Sequence, residues 1–451
     1  MKLFVKLGKH FLMSVLIVGV SLSYVYANQN GLKKQDSLMG ERWNFRGFGT
    51  LGYAQTDKYN DTFFRRDISQ DAVRVADDPF LLDSRIGLQV TGELSDHWEV
   101  VLQTVLKQKI DTELSDYINI AFARYTNTAN WQLTLGRQPF DLFLMSENRN
   151  VGYSYDWIRP PVEFYGALPS DSFDGIKISK TWGGFEHDWY WHASVGKMDE
   201  GFQLSVPTDT NSFPQELGPI SEIRGVESTK IEPIYTTGVT WTSNNWQLHG
   251  GVSWLEIEQQ LDFANDFSLL VNLFSGLWPD LVNISDQLLG KNQIRHFGLG
   301  AKWESGPWKL QSEVSHVDSD RASYQGQRGY FSLSRRYDEW LGYAVLGYAN
   351  DGSSIEYQAV SELDLPSDPL IQAVLFATQY EIDNRLAALK QNQTSLTLGV
   401  RWDFASEKAV KVQCENYWFE GGSNALIDRV NGNYLKDQSQ AWCSFAFDWV
   451  F

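Results

Sequence analysis

The last eleven residues, AWCSFAFDWVF, constrain the fold more than any other stretch of this chain. In residues 441–451 every second side chain, ending on Phe447, Trp449 and Phe451, is apolar or aromatic. A period of two is that of a β-strand, whose side chains alternate between the two faces of a sheet. A soluble sheet would have to cover such a face with a second layer, whereas an outer-membrane barrel leaves it in lipid. We favour the barrel, with the edge strand of a soluble all-β protein as the alternative.

The same alternation recurs from Arg42 to the C-terminus, with short turns and long polar loops in between. The hairpin formed by residues 82–91 and 98–107 is typical, because Leu, Ile and Val alternate there with Asp, Arg, Gln and Glu. We predict an all-β, transmembrane, antiparallel β-barrel of about sixteen strands in residues 42–451. The even number places every short turn on the periplasmic side and every long loop outside. Fourteen and eighteen are also even numbers, so these strand counts remain alternatives.

The first 27 residues have the parts of a secretory signal peptide. Three lysines within the first nine residues form a positive start, an apolar stretch follows, and the sequence VYA ending at Ala27 offers a cleavage site. The apolar stretch is short for a membrane-spanning helix, which needs about 20 residues, and a retained anchor is the alternative. We predict a signal peptide at 1–27, a polar periplasmic lead-in at 28–41, and export through the periplasm.

The net charge of −18 argues against nucleic acid as a partner, because nucleic-acid-binding proteins carry basic patches. Hydrophobic residues make up 43% of the chain, yet the mean hydropathy is −0.33. Both values fit apolar residues that are dispersed by alternation. Acidic residues concentrate in the predicted external loops, where plain solvation or divalent-cation bridging to the lipid surface would explain them. We predict no cofactor and no metal site.

Cys414 and Cys443 both lie on the apolar phase of the last two predicted strands. These strands are antiparallel neighbours in the predicted barrel, so the two residues could face each other, and an exported chain can hold a disulfide. We favour two free thiols in the lipid-facing band, with the disulfide as the alternative. The spacing of the cysteines matches no metal site.

The inward phases of the predicted strands carry charged side chains. Buried without partners, each would cost several kcal/mol, so we expect a water-filled lumen that hydrates them. The predicted pore-lining residues are Arg46, Asp83, Arg85, Glu99, Lys107, Lys177, Lys302, Arg401, Asp403 and Lys411.

Four features carry a family resemblance. The segment DSRIGLQ (83–89) resembles an early strand of the sixteen-stranded Gram-negative porins, and TLGVRWDF (397–404) resembles their penultimate hairpin. The segment LGRQ (135–138), with the long loop after it, is similar to porins of the phosphate-selective type and, more weakly, to the alginate-export family. The terminal Phe451 resembles the C-terminal signal of bacterial outer-membrane proteins, which implies recognition by the outer-membrane assembly machinery.

The porin resemblance implies that residues 139–171 form a third external loop, L3, which folds into the lumen as a constriction. Acidic and basic side chains that face each other in a narrow opening orient and select solutes. An external loop packed on its own aromatic side chains is the alternative. The predicted constriction residues are Asp141, Glu147, Arg149, Asp156, Arg159 and Glu163.

The predicted function is that of a porin of the cell outer membrane, a channel for passive diffusion of small hydrophilic solutes. A preference for anionic or sugar-like solutes stays open, because acidic and basic residues are mixed on the inward phases. The resemblance also implies contact with outer-membrane lipid and lipopolysaccharide, and a homotrimer. A structural or adhesive barrel with a plugged lumen is the main alternative.

A lipid hydrolase of the outer membrane is the second alternative. Such enzymes need a nucleophilic Ser activated by a nearby His. His316 is the histidine nearest to the required place, since its phase is outward, and the chain has no Gly-x-Ser-x-Gly stretch. We therefore predict no enzyme activity.

Overall fold

A computed structural model describes residues 42–56, 62–70, 73–109, 114–166, 170–184, 186–203, 226–260, 264–289, 291–321, 325–351, 355–389, 391–420, 427–429 and 439–451. The predicted signal peptide (1–27) and lead-in (28–41) lie outside these residues. The chain divides into two compact units, Met1–Asn44 and Phe45–Phe451, and only the last three residues of the first unit are described. All nineteen strands named below except the first two residues of β1 belong to the second unit.

The described part of the chain forms nineteen strands, and they alternate with the turns and loops that the sequence predicts. In chain order they are β1 (Trp43–Thr56), β2 (Thr62–Phe64), β3 (Val73–Arg74), β4 (Arg85–Glu93), β5 (Trp98–Lys107), β6 (Ile118–Thr126), β7 (Trp131–Pro139), β8 (Ser172–Gly183), β9 (His187–Gln203), β10 (Val226–Ser243), β11 (Trp246–Gln260), β12 (Asn292–Ser305), β13 (Trp308–Ser319), β14 (Gly326–Tyr337), β15 (Trp340–Asp351), β16 (Gln393–Ala405), β17 (Lys408–Phe419), β18 (Ile427–Arg429) and β19 (Ser439–Val450).

Sixteen of these strands form one closed antiparallel barrel, which confirms the predicted fold class and strand number. Neighbours in the wall follow chain order, and β19 pairs with β1 to close it. The short strands β2, β3 and β18, which the sequence pattern does not predict, form a separate small sheet in the order β18-β2-β3. Two- and three-residue strands are too short to show a period.

The outward faces of the barrel strands carry the apolar half of each alternation. Leu299 is 66% exposed and Leu346 is 57% exposed, so these faces have no protein cover. On β15 eight residues separate Trp340, beside a short turn, from Tyr348. That separation spans roughly 20 Å across a tilted wall, which is close to the apolar band of membrane barrels.

Four α-helices lie in the described parts of the connections between strands. They are α1 (Val162–Tyr165), a single turn in L3, α2 (Ala264–Phe274), α3 (Asp280–Leu289) and α4 (Pro369–Leu389). Apolar residues recur at helical spacing in 369–389, which predicts a helix there, and α4 confirms it. The sequence also suggests one short helix within 263–289, and this segment contains two. No helix among the described residues is long and apolar enough to cross a membrane.

Cys414 and Cys443 form a disulfide, so the preference for two free thiols is wrong. The two residues are direct partners in the β17–β19 ladder, with Cα atoms 4.1 Å apart. Alternation in the sequence gives the face of each side chain but not its height along the strand. The register of the ladder supplies that height, and it brings the two sulfur atoms together.

The seam between the first and last strands joins glycines to aromatic rings. Gly47 and Phe451 exchange backbone hydrogen bonds of 2.8 and 2.9 Å. A Cβ atom added at Gly47 would lie 2.3 Å from the ring of Phe451, and one at Gly49 would lie 2.2 Å from the ring of Trp449. The aromatic side chains of β19 therefore rest on glycines of β1, where a Cβ atom would force the ring to move.

Candidate constriction site

L3 leaves the wall after β7 and returns at β8, yet its residues contact strands far from both. A first arm, residues 140–145, contacts β9 to β13. A second arm, residues 156–166, contacts β13 to β19. Residues 146–155 join the two arms. These contacts are made with inward-facing side chains, so both arms lie inside the barrel.

The first arm is held mainly by apolar packing. Its residues Phe140, Leu142, Phe143 and Met145 are 1–8% exposed. They share one apolar cluster with inward side chains of β9 to β12, namely Met198, Ile231, Ile234, Ile257 and Ile294. His249 on β11 donates from Nε2 to the carbonyl oxygen of Leu142 at 2.9 Å. An apolar core therefore fills this part of the lumen.

The second arm is held by ion pairs, and Arg159 is their centre. Its side chain is 2% exposed and pairs with both Asp83 and Glu415. The guanidinium also donates to Ser444 on β19 at 2.7 Å, and to Asp83 from Nε at 3.0 Å. Burial would raise the pKa of Asp83, but the charge and hydrogen bonds of Arg159 outweigh burial and hold that pKa below its usual value.

Two wall cations bind backbone carbonyl groups of L3. Lys411 on β17 is fully buried and donates three hydrogen bonds of 2.7–2.8 Å to L3. The acceptors are the carbonyl oxygens of Gly152, Tyr155 and Trp157. Arg401 on β16 donates to the carbonyl oxygens of Tyr153 and Tyr155 at 2.9 and 2.8 Å. Asp448 lies 2.9 Å from the Lys411 ammonium and balances its charge.

The two arms meet at Glu313 on β13. Its carboxylate accepts a hydrogen bond of 2.9 Å from the backbone N–H of Leu144 in the first arm. It also accepts hydrogen bonds from the hydroxyl groups of Tyr165, in the second arm, and Tyr330, the latter at 2.7 Å. One carboxylate therefore ties both arms to the same place on the wall.

Glu163 is a buried carboxyl group in α1. Gln393 on β16 donates to its Oε1 atom at 2.8 Å. Burial raises the pKa of Glu163, although hydrogen bonds from Gln393 and Ser395 act in the opposite direction. The docked second arm therefore holds a proton on Glu163 more tightly than the free chain does.

We expect Glu163→Gln to raise the melting temperature Tm more at pH 8 than at pH 4. The difference between the two shifts in Tm should be roughly 1–3 °C. A carboxyl group with a raised folded-state pKa contributes full stability below its unfolded pKa and loses it as pH rises through the folded pKa. Glutamine carries no charge at either pH, so the loss disappears. Thermal melts in one detergent at both pH values measure the effect. Glu362→Gln, in an exposed external turn, is the control, and equal shifts for both variants would contradict the assignment.

The predicted pore-lining residues fall into two groups. Six are 0–8% exposed and contact L3 or its immediate partners: Asp83, Arg85, Lys107, Lys177, Arg401 and Lys411. Four keep exposed surface: Arg46, Glu99, Lys302 and Asp403. The expectation that water hydrates all ten is wrong for the first group, because L3 brings charges and carbonyl groups of its own. Which of the ten line a path for solutes stays a prediction.

Four of the six predicted constriction residues are buried: Arg149, Asp156, Arg159 and Glu163. Arg149 lies 3.5 Å from Asp67 and 3.2 Å from Asp171, and Asp156 lies 3.0 Å from Lys309 on β13. These charges fasten L3 to its surroundings. A direct role in contacting solutes stays a prediction for all six.

The remaining two, Asp141 and Glu147, face basic side chains of the wall. Asp141 lies 3.8 Å from Lys177 on β8, and Glu147 is exposed. The charges of Asp141, Lys177 and Arg124 all act on the Glu147 carboxylate. Arg124 on β6 also pairs with Glu99 at 3.2 Å. Acids on L3 and bases on β6 and β8 thus oppose each other.

Three further residues that hold L3 were not predicted as site residues. Glu313 and Glu415 have inward phases, so the sequence placed them in the lumen without showing their partners. Asp67 lies in the first external loop, where a side chain has no phase, and Ile68 beside it donates its backbone N–H to Gly166 of L3 at 3.0 Å. Among the residues described, no group of three or more His, Cys, Asp or Glu could hold a metal ion.

No family model and no curated protein matches this chain. Several solved structures are similar in shape. The anion-selective porin from Comamonas acidovorans has 11% sequence identity and a TM-score of 0.48 over 91% of this chain and 100% of that chain. OmpT of Vibrio cholerae, an outer membrane protein in its trimer form, has 10% identity and a TM-score of 0.48, over 91% and 99%. The outer membrane channel DcaP of Acinetobacter baumannii has 14% identity and a TM-score of 0.45, over 91% and 97%. These values are too low to transfer a function, and we therefore derive function from this lumen alone.

Proposed function

We propose that the protein is an outer-membrane porin, a narrow channel for passive diffusion of small hydrophilic solutes. One observation carries the proposal: L3 crosses the inside of a closed barrel and presents acids to bases on the wall. A closed barrel leaves no backbone group unpaired at an edge, and its apolar outside suits lipid. The inside is then the place for water, and L3 reduces its cross-section.

The proposed passage lies on the side of L3 where Asp141 and Glu147 face β6 and β8. Asp141 and Glu147 on one side and Arg124 and Lys177 on the other set up an electric field across it. Such a field orients polar solutes and slows apolar ones. Because both signs of charge are present, we propose only a mild selectivity among small solutes. Anionic or sugar-like solutes are the proposed preferred class.

The proposal extends to the route and the partners of the chain. The segment 1–27 would direct export, and 28–41 would be a periplasmic lead-in. The outward apolar face would contact outer-membrane lipid and lipopolysaccharide, and the assembly machinery would recognise the terminal strand through Phe451, which is 48% exposed. A homotrimer is the proposed assembly. We propose no enzyme activity and no cofactor.

Charge reversal in the passage is expected to change ion selectivity. Glu147→Lys should move the reversal potential in a KCl gradient towards the equilibrium potential of chloride. Arg124→Glu should move it towards the equilibrium potential of potassium, and each shift should be roughly 10 mV or more. The measurement is made in planar lipid bilayers with the refolded protein. Glu362→Lys, in an exposed external turn, is the control and should leave the potential unchanged.

A structural or adhesive barrel with a plugged lumen is the second candidate. The apolar core around the first arm favours it, because packed side chains fill that part of the lumen. This candidate predicts no conductance steps at any voltage. Discrete steps whose reversal potential follows the two charge reversals would support the porin instead.

A further inference from the structure

The disulfide between Cys414 and Cys443 lies on the outside of the wall. Both side chains are exposed, and their outward neighbours along the strands include Val412 and Phe445. Four residues separate Cys414 from Trp418, an exposed ring near the external end of β17. The sulfur atoms therefore lie roughly 10 Å below that ring along the barrel axis. This height is within the apolar band.

An apolar surrounding blocks the reaction that forms a disulfide. The thiolate is the nucleophile, and an ionised sulfur atom is strongly disfavoured in hydrocarbon. Water-soluble oxidants and reductants stay outside the same region. In the exported chain before insertion, both thiols are in water and can ionise. The position of the bond therefore sets the order of two events, oxidation first and insertion second.

We propose that Cys414 and Cys443 are the substrate of a dithiol–disulfide oxidant of the periplasm before the barrel enters the membrane. The finished bond is then closed to reductants. This inference rests on the membrane location within the proposed function, because a barrel in water would leave the bond open to exchange. It is independent of whether the lumen conducts.

The reaction balances as a thiol–disulfide exchange. The thiolate of one cysteine attacks the disulfide of the oxidant, forms a mixed disulfide and releases one thiolate of the oxidant. The second cysteine gives up its proton and attacks the chain sulfur of the mixed disulfide, which releases the other thiolate. The chain loses two electrons and two protons, and the oxidant is reduced to its dithiol form.

Early oxidation fixes the register of the last hairpin. The bond joins residues 29 positions apart and places Cys414 opposite Cys443, as in the ladder of the finished barrel. A slip by one residue would exchange the outward and inward faces of β19. The other edge of β19 pairs with β1, which is the seam that closes the barrel. The oxidised hairpin thus presents a strand in the correct register to that seam.

The order of events can be tested with reduced protein and oxidised glutathione. One sample is kept unfolded in urea, and the other is inserted into phosphatidylcholine vesicles and purified by flotation. Free thiols are counted by maleimide labelling after denaturation. We expect the unfolded chain to form the bond at least roughly 100-fold faster than the inserted chain. Inserted protein that is already oxidised should likewise resist a charged phosphine reductant.

A cysteine pair higher on the same two strands serves as the control. Trp418 and Ser439 are direct partners in the β17–β19 ladder, on the same face and nearer the external end. The variant Cys414→Ala/Cys443→Ala/Trp418→Cys/Ser439→Cys should oxidise in vesicles within a few-fold of its rate in urea. Equal rates for the native pair and the control pair in vesicles would overturn the inference. Failure of the protein to float with vesicles would overturn both the inference and the proposed location.

Discussion

Arg159→Met is expected to release the second arm of L3 and to raise the single-channel conductance at least about twofold. The substitution leaves Asp83 and Glu415 facing each other in a buried place. Removing one partner of a buried ion pair costs about 3–5 kcal/mol. Movement of the arm into water relieves this cost, whereas the wall remains held by its strand ladders. Conductance in planar bilayers, with the folded state checked by circular dichroism, measures the effect.

A variant that also lacks the two unpaired carboxylates is the matched control. Asp83→Asn/Arg159→Met/Glu415→Gln removes the cation together with both carboxylates, so the reason for release is absent. Its conductance should lie close to that of the wild type. If the single variant and the triple variant conduct alike, Arg159 does not hold the arm through its charge.

Gly49→Val is expected to prevent closure of the barrel and to lower the yield of folded protein roughly tenfold. The ring of Trp449 occupies the space into which the side chain would extend, with a ring atom 2.2 Å from a Cβ at this position. To make room, the ring must turn away from the seam and lose its packing on β1. The measurement is the fraction of compact, heat-modifiable protein on a gel after refolding.

Two variants separate this clash from the general cost of a bulky side chain in a strand. Gly342 lies on the outward face of β15, and nothing lies within 4 Å of a Cβ atom there. Gly342→Val should therefore fold as the wild type does, and Gly49→Val/Trp449→Ala should recover part of the lost yield. A Gly49→Val protein that folds as well as Gly342→Val would show that the seam tolerates a side chain.

The strands could be predicted from the sequence because each one repeats the same local rule. In β19 the alternation from Trp442 to Phe451 identifies a face without reference to any other part of the chain. The helical spacing of α4 is local in the same way. The disulfide is different, because it depends on the register of β17 against β19. The alternation within one strand contains no information about that register.

The interior of the barrel was harder to predict for the same physical reason. From the sequence, Lys411 and Arg159 are expected to be hydrated. The strand phase of Lys411 shows only that it points inward, and the position of Arg159 shows only that it lies in L3. Their partners are distant in sequence: Arg159 pairs with Glu415, 256 residues away. The apolar residues of the first arm were a usable signal, since Phe140, Leu142 and Phe143 are out of place in a loop surrounded by water. They indicate a packed segment.

The claim that L3 narrows a water-filled lumen is tested most directly by polymer exclusion. Single-channel conductance is recorded in the presence of poly(ethylene glycol) of increasing size, for the wild type and for Arg159→Met. If L3 narrows the lumen, only the smallest polymers lower the wild-type conductance, and larger ones also enter the variant. Absence of conductance in both proteins, or one size limit shared by the two, would contradict it.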